Sequence, residues 1–349
     1  MAYTTITDPS AQFQTQIYTG NASTQSITNS GNSNLQPDWV WLKSRSLAQP
    51  HTLRDSTRGT NKFLYANADS AEGTNTYLTS FNSDGFSLNS TDSEVNGSGA
   101  TYVAWQWKAT AGTTATNNAG SISSTVQANT TAGFSIVKWT SDGNNGRTVG
   151  HGLGVKPTVI ITKNLSSSSD WLSFFEEAGV DKYLKLNSAS AVSTSADMFG
   201  GGAQATAVFT IGQSAAGYSN GNNIIAYVFA PIKGYSKFGK YSGNGNADGP
   251  FIYTGFKPAF IMRKCINEGL DWTMVDSARD PLNVSDENIY ANLNYVEYSG
   301  SETKFDFLSN GFKMRGNWTS TNKSGNTYVY MAFAENPFVA TNGIPTTAR

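Results

Sequence analysis

Apolar residues in this chain fall into short runs separated by Gly-, Asn-, Ser- and Thr-rich stretches, and one run recurs three times. It reads Gly99-Ala100-Thr101-Tyr102-Val103-Ala104-Trp105-Gln106-Trp107, then Gly221-Asn222-Asn223-Ile224-Ile225-Ala226-Tyr227-Val228-Phe229, and last Gly325-Asn326-Thr327-Tyr328-Val329-Tyr330-Met331-Ala332-Phe333. Each copy begins on a turn glycine, continues through β-branched and aromatic residues and ends on a large ring. It is too short and too β-rich for a buried helix, so each predicts a strand that closes a module. A proline opens an apolar run ahead of each: Pro37-Asp38-Trp39-Val40-Trp41-Leu42-Lys43, Pro157-Thr158-Val159-Ile160-Ile161-Thr162-Lys163 and Pro258-Ala259-Phe260-Ile261-Met262-Arg263-Lys264. From proline to closing glycine the separations are 62 (37 to 99), 64 (157 to 221) and 67 (258 to 325) residues.

Further echoes pair the first and third copies: Asp55-Ser56-Thr57-Arg58 with Asp276-Ser277-Ala278-Arg279, and Phe81-Asn82-Ser83-Asp84-Gly85-Phe86 with Leu308-Ser309-Asn310-Gly311-Phe312. The middle copy keeps only Ala207-Val208-Phe209-Thr210-Ile211-Gly212 at that place. A period of roughly 100 residues exceeds a solenoid unit, so the pattern predicts three tandem homologous all-β modules, each a small domain with its own core. In order, 1–16 reads as a polar arm, 17–109 as module one, 110–130 as a Ser/Thr/Asn/Gly-rich linker, 131–234 as module two, and 235–349 as module three with a C-terminal tail. The short bridge at Pro231–Lys237 predicts a rigid pair of modules two and three, and the longer linker a freer module one. Asp84-Gly85 is a hairpin signal, and Gly200-Gly201-Gly202 marks a loop.

Composition narrows the class. Charged residues make up 14%, aromatics 12%, and glycines number 34, the profile of an all-β protein with many turns and an uncharged polar surface. A net charge of −1 gives no electrostatic footprint for nucleic acid or an anionic membrane. No run approaches the length of a membrane span, and residues 1–16 lack the basic and apolar regions of a signal peptide. The single cysteine, Cys265, lies in an apolar run and reads as a small buried hydrophobe, so folding is expected not to need an oxidising compartment.

Candidate chemistry is sparse. The two histidines, His51 and His151, lie in different modules without a matching ligand cluster. No Gly-x-Ser-x-Gly elbow stands in workable order with a histidine and an acid, there is no P-loop, and Gly150-His151-Gly152-Leu153-Gly154 reads as a turn. Glu176-Glu177, and Asp276 with Asp280, are the visible carboxylate pairs for glycosidic cleavage. The Asn244–Asp248 loop is oxygen-rich but lacks the alternate acids and closing glutamate of a calcium loop, and is expected to be a turn. No cofactor or metal is expected.

Binding chemistry is better supplied. Eight tryptophans and 16 tyrosines lie among Asn-, Asp- and Gly-rich loops, the materials of a carbohydrate or protein contact surface. Trp39, Trp41, Trp105 and Trp107 take strand positions and read as core. Trp171, Trp272 and Trp318, in loops, are the candidate contact rings, with Asn244, Asn246 and Asp248 as polar candidates.

The phrases YTGN, LQPDWVWLKSR, DSTRG, FNSDGFSLNS, NGSGATYVAWQWKA, GHGLGVKPTVIITKN, YSGNGNADGPFIYTGFKPAFIMRK, DFLSNGFKMR and TYVYMAFAENPF resemble a repeat family of tail-fibre-like and uncharacterised virion surface proteins in marine and freshwater tailed phages, cyanophages among them. The similarity runs from about Phe13 to the C-terminal NGIPTTAR. The resemblance implies lectin-like or jelly-roll-like β-sandwich modules in a non-enzymatic protein of the virion surface, made in the host cytoplasm. It also implies a tail-fibre or spike adhesin for host surface glycan or protein, with other virion proteins as partners; residues 1–16 read either as a loosely held tail or as an arm that pairs with a neighbouring subunit or larger assembly. Capsid decoration or head-fibre assembly is the alternative, and polysaccharide depolymerisation a third. The family has no established catalytic residues to carry over, and the chain has no recognisable coiled-coil shaft, which favours a compact knob, short spike or decoration. A homo-oligomer is expected, with a trimer as the starting assumption.

Overall fold

The computed structural model describes residues 3–200, 204–212 and 217–339. Along the first stretch of chain lie β1 (Phe13–Thr19), β2 (Thr24–Ile27), β3 (Trp39–Ser44), β4 (Thr52–Asp55), β5 (Lys62–Tyr65), β6 (Gly73–Thr74), β7 (Leu78–Phe81), β8 (Phe86–Asn89) and β9 (Thr101–Trp107). Next come β10 (Ala115–Asn117), β11 (Ser124–Asn129), β12 (Phe134–Thr140), β13 (Arg147–Gly150), β14 (Val159–Asn164), β15 (Leu172–Phe175), β16 (Lys182–Lys185), β17 (Ser193–Thr194), β18 (Val208–Ile211) and β19 (Asn223–Phe229). The last stretch holds β20 (Ser236–Ser242), β21 (Phe251–Tyr253), β22 (Phe256–Cys265), β23 (Thr273–Asp276), β24 (Glu287–Tyr290), β25 (Tyr298–Ser299), β26 (Phe305–Leu308), β27 (Gly311–Met314) and β28 (Thr327–Pro337). The protein is all-β.

Three large antiparallel sheets carry the architecture. Their strand orders are β1-β9-β3-β4-β5-β6, then β10-β11-β12-β19-β14-β15-β16-β17, then β20-β28-β22-β23-β24-β25. Each recurring phrase is thus the inner strand of a sheet, β9, β19 or β28, and each proline-led run is its neighbour, β3, β14 or β22. Smaller sheets, β2-β8-β7, β13-β18 and β21-β27-β26, complete the set.

The inner strands are buried along nearly their whole length because both faces are covered, and strand alternation sorts their side chains between two cores. In the first sheet, Trp39, Trp41, Val103, Trp105 and Trp107 point to a central cluster, while Val40, Leu42 and Ala104 point outward to Ile27, Leu78, Phe86 and Leu88 of the small sheet. In the second, Val159, Ile161, Ile225, Tyr227 and Phe229 face the centre, while Ile160, Ile224, Ala226 and Val228 pack on Val149, Phe209 and Ile211. The hairpin signal is met at β7–β8, where Gly85 has φ +90°. A Cβ there would lie 1.9 Å from the Ile27 carbonyl oxygen.

The central cluster draws on all three sheets, so the expectation of separate cores fails at the middle of the molecule. Trp39 stacks on Tyr227 with centroids 4.1 Å apart, Phe229 meets Phe333 at 5.8 Å, and Trp105 meets Phe260 at 5.7 Å. Main-chain bonds close the same triangle: Glu72 N to Leu165 O at 3.1 Å, Val192 N to Ile266 O at 3.1 Å, and Glu297 N to Arg45 O at 2.9 Å. The first sheet is clamped on both sides, as the other two are.

Two further expectations are corrected here. The stretch 110–130, read as a linker, contains β10 and β11. Its polar residues are strand residues: Thr125 is exposed, while Ser124 and Gln127 are buried and hydrogen-bonded, Ser124 Oγ donating to Gly150 O at 2.8 Å. The arm 1–16 includes the start of β1, and its earlier residues dock on their own chain: Tyr3 Oη donates to Gly255 O at 2.7 Å, Thr4 Oγ1 to Lys233 O at 2.7 Å, and Ile6 is buried. The expected loop at Gly200–Gly202 falls partly, and the tail from residue 340 wholly, outside the described residues.

The last lysine of each proline-led run, Lys43, Lys163 or Lys264, is buried. Their ammonium groups donate to carbonyls and not to carboxylates: Lys43 to Ser44 O at 2.6 Å, Lys163 to Asn164 O at 2.9 Å and Asp69 O at 3.2 Å, Lys264 to Ala189 O at 2.8 Å. Burial lowers Lys43 to about 7 and the other two to about 8. Because these values lie below those of the unfolded chain, the unfolded state holds more protons between about pH 8 and 10, and stability rises with pH across that window. Denaturant melts at pH 7.5, 8.5 and 9.5 will show this rise. Lys163→Met will flatten the slope by up to about 1.4 kcal/mol per pH unit.

Candidate functional site

The six candidate contacts separate into three groups. Trp171 and Trp272 are buried, at 0% and 1% exposure, and are not contact residues for an outside ligand. Each sits immediately before a strand, β15 or β23, and drives its indole into the seam with the preceding sheet. Trp171 Nε1 donates to Tyr65 O at 2.8 Å, and Trp272 Nε1 to Lys185 O at 2.9 Å. A sequence signal for this exists: Trp171 and Trp272 each follow their landmark proline by 14 residues (157 to 171, 258 to 272), and His51 follows Pro37 by the same 14 (37 to 51). A position held at constant spacing belongs to the scaffold. His51 is likewise buried, accepting from Trp41 Nε1 on Nδ1 at 2.8 Å, and burial holds its imidazole well below the usual range.

Asn244, Asn246 and Asp248 are exposed, but their oxygens are engaged within the loop. Asn244 Oδ1 accepts from Asn246 N at 2.9 Å and Asn322 Nδ2 at 3.2 Å, and Asn246 Oδ1 accepts from Asp248 N at 2.9 Å. Asp248 pairs with Lys313 at 2.7 Å, which lowers its carboxyl. The buried Asn322 also donates to Asn246 O and Gly316 O, both at 2.8 Å, so one amide ties the loop into a turn. Asn96 does the same for Asn21 and Ser23 in the first stretch of chain. Among the described residues no three His, Cys, Asp or Glu side chains gather as a metal site. Of the carboxylate pairs, Asp276 is buried against Arg279 at 2.5 Å and the Trp105 indole at 3.0 Å, while Glu176 and Glu177 pair with Lys156 and Lys240.

Trp318 is the third case. It is half-buried, and it stands in a group of rings absent from the initial candidates: Tyr290 at the end of β24, Tyr295 in the following loop, and Tyr298 on β25. Tyr290 meets Trp318 edge-on at 5.7 Å and Tyr295 at 6.4 Å, and Tyr295 is 59% exposed. Tyr298 Oη donates to Glu302 Oε1 at 2.6 Å, and Trp318 N to Glu302 O at 3.2 Å. Burial pushes the Tyr290 hydroxyl up to about 12, with the charges of Asp271 and Glu302 adding to the effect. The segment Tyr290-Ala291-Asn292-Leu293-Asn294-Tyr295-Val296-Glu297-Tyr298 holds the signal: three tyrosines among amides, with no apolar alternation to send them inward.

The scaffold under these rings is stiff. Glu297, next to Tyr298, is gripped by Arg45 and Arg279, both at 2.7 Å, and its own N–H bonds Arg45 O, so the loop is nailed to the first sheet. Asn292 Nδ2 donates to Asp271 Oδ1 at 2.7 Å and its oxygen accepts from Trp272 N at 2.9 Å. The arrangement can hold a flat apolar face against rings and offer a carboxylate, phenols and amides for directed hydrogen bonds.

Residues 8–337 match the family described as a domain of unknown function, DUF7483. The chain belongs to the DUF7483 family. No curated protein and no solved structure matches it. Seven of the eight tryptophans of this DUF7483 chain are buried, which separates the ring group at Trp318 from the scaffold. Trp171→Ala and Trp272→Ala will each cost about 3–5 kcal/mol of stability in denaturant melts, by loss of a filled seam. Trp318→Ala will cost about 1 kcal/mol or less.

Proposed function

We propose that this protein is a non-enzymatic binding protein of a tailed-phage virion surface, an adhesin that engages host surface glycan through Trp318, Tyr290, Tyr295 and Tyr298. The observation that carries the reading is this ring group, held on a braced loop at the last strand of the third sheet. Sugar rings present apolar C–H faces that pack on aromatic planes, and hydroxyls at their rims pair with carboxylates and amides. Glu302 and Asp271 make the neighbourhood negative, which disfavours anionic polysaccharide and selects neutral or amino sugars. A single shallow site of this kind binds weakly, so a homo-oligomer on the particle gains its strength by multivalency.

The scaffold reading that accompanies this is one β-module present three times. Its support is positional: Pro37 and Pro157 stand two residues before β3 and β14, and Pro258 lies at a register shift near the start of β22, all strands that pair with the long inner strand of their sheet. The three clamping amides, Glu72, Val192 and Glu297, bond Leu165, Ile266 and Arg45, each of which lies two residues beyond the lysine of its proline-led run and directly after β14, β22 or β3. The modules are interlocked sandwiches and not beads on a string.

The decisive experiment incubates the purified protein with host cells and with isolated neutral envelope polysaccharide. Trp318→Ala and Tyr295→Ala are each expected to weaken binding about tenfold or more, equivalent to about 1.4 kcal/mol, while the fold is kept and stability falls by about 1 kcal/mol or less. Binding that survives both substitutions undiminished, or no binding to cells or glycan at all, overturns the assignment.

A further inference from the structure

β11 shows how this scaffold seats an added strand. It lies on the outer side of β12, pairing Asn129 with Phe134 through to Ser124 with Trp139. Across the groove stands the first sheet, where the Gln127 amide donates to Asp38 Oδ1 and accepts from the Ser56 and Thr57 hydroxyls, each at 2.9 Å. Without β11, β12 would be an edge strand facing a shallow cleft.

Such a cleft lies open beside β1. β1 pairs with β9 as β12 pairs with β19, with Phe13 opposite Trp107 and Phe134 opposite Phe229, and its other side carries no strand among the described residues. The groove runs from Phe13 and Thr15 to Ala259, Ser277 and Ala278 of the third sheet. These three stand where Asp38, Ser56 and Thr57 stand for β11. Ser56 N bonds Asp38 O at 2.9 Å, and Ser277 N bonds Ala259 O at 2.9 Å, so the two turns share one main-chain frame. The hydrogen-bond phase is also favourable. Lys108 N bonds Gln12 O and Gly20 N bonds Ala100 O, so the even residues of β1 face β9 and the main-chain groups of Phe13, Thr15 and Ile17 turn outward.

The edge at β20 differs. It presents Lys237 and Lys240, with Lys240 paired to Glu177 at 3.3 Å across its groove, the kind of charge that blunts strand addition. β1, Phe-Gln-Thr-Gln-Ile-Tyr-Thr, has no charge. Among the described residues the carboxylate lining its groove, Glu335, is engaged by Lys257 at 3.2 Å and the Ser277 hydroxyl at 2.8 Å.

We infer that the β1 edge is a strand-acceptor site for an extended, uncharged segment of a partner protein, rich in Ser, Thr, Gln and small aliphatic residues as β11 is. The segment adds to the sheet by main-chain bonds to Thr15 and Ile17, and small side chains on its inner face fit against Ala259 and Ala278. This site stands on strand order and groove chemistry, independent of glycan binding at Trp318.

The test uses the intact protein and a synthetic peptide of residues 121–130, Ser-Ile-Ser-Ser-Thr-Val-Gln-Ala-Asn-Thr. Amide exchange at Thr15 and Ile17 is expected to slow by about tenfold on saturation, and a version with Lys at its two central positions is expected not to protect. Thr15→Pro removes an outward donor without touching the β9 ladder, and Ala278→Trp fills the groove from the far wall. Each should abolish protection. Absence of protection at millimolar peptide, or protection that persists in both variants, overturns the inference. So does self-association of the chain that Thr15→Pro abolishes, because it would assign the edge to a second copy.

Discussion

Burial of three sheet faces against one another, with the polar edges of their aromatic rings satisfied across the seams, is the constraint on which this molecule rests. Aromatic rings give the largest apolar area per residue, but tryptophan and tyrosine bring a donor that is costly to strand in a dry core. Here the donor of one sheet finds its acceptor on another: Trp171 on Tyr65, Trp272 on Lys185, Trp105 on Asp276, and Tyr227 on Asp55 at 2.8 Å. Trp39 and Trp107 lack a partner for their indole nitrogens among the described residues, and lie where stacking is densest. Each acceptor is itself fixed, Asp55 and Asp276 by Arg58 and Arg279, so loosening one seam strains the next.

Strand identity was legible in the chain wherever alternation and a turn glycine coincided. Trp39, Trp41, Trp105 and Trp107 announce their burial by their place in short runs rich in β-branched and aromatic residues, and the hairpin at Asp84-Gly85 follows from the need for positive φ. For the buried tryptophans the failure has one cause, that local composition does not reveal a partner far along the chain. Trp171 and Trp272 look like loop residues because aspartate precedes them, yet their acceptors lie 106 and 87 residues away. β11 looks like a linker because its Ser, Thr, Gln and Asn outnumber its apolar residues, although its partners β10 and β12 are its neighbours in the chain. The ring group at Trp318 was half-seen: the tryptophan is isolated in sequence, and the tyrosines that give it meaning arrive from β24 and β25.

A scaffold clamped at three seams suits a contact surface. Loops that carry recognition gain affinity when they do not have to be ordered on binding, and the Tyr295 loop is ordered beforehand by Arg45 from another sheet. Burial, with the charge of Glu297 adding, raises Glu287 in the same cluster to about 7, while the guanidinium groups of Arg279 and Arg45 outweigh burial at Glu297 and lower its carboxyl. The turn built on Asn322 shows the opposite economy, with oxygens that resemble a cation cage spent on holding the backbone.

The depth at which the indoles lie has an optical corollary. Trp39, Trp41, Trp105, Trp107, Trp139, Trp171 and Trp272 are all at 3% exposure or less, sealed from small solutes. A collisional quencher in solution therefore meets one indole, that of Trp318. The accessible fraction of the intrinsic fluorescence is a label-free gauge of occupancy at that single surface, already present in the wild-type chain.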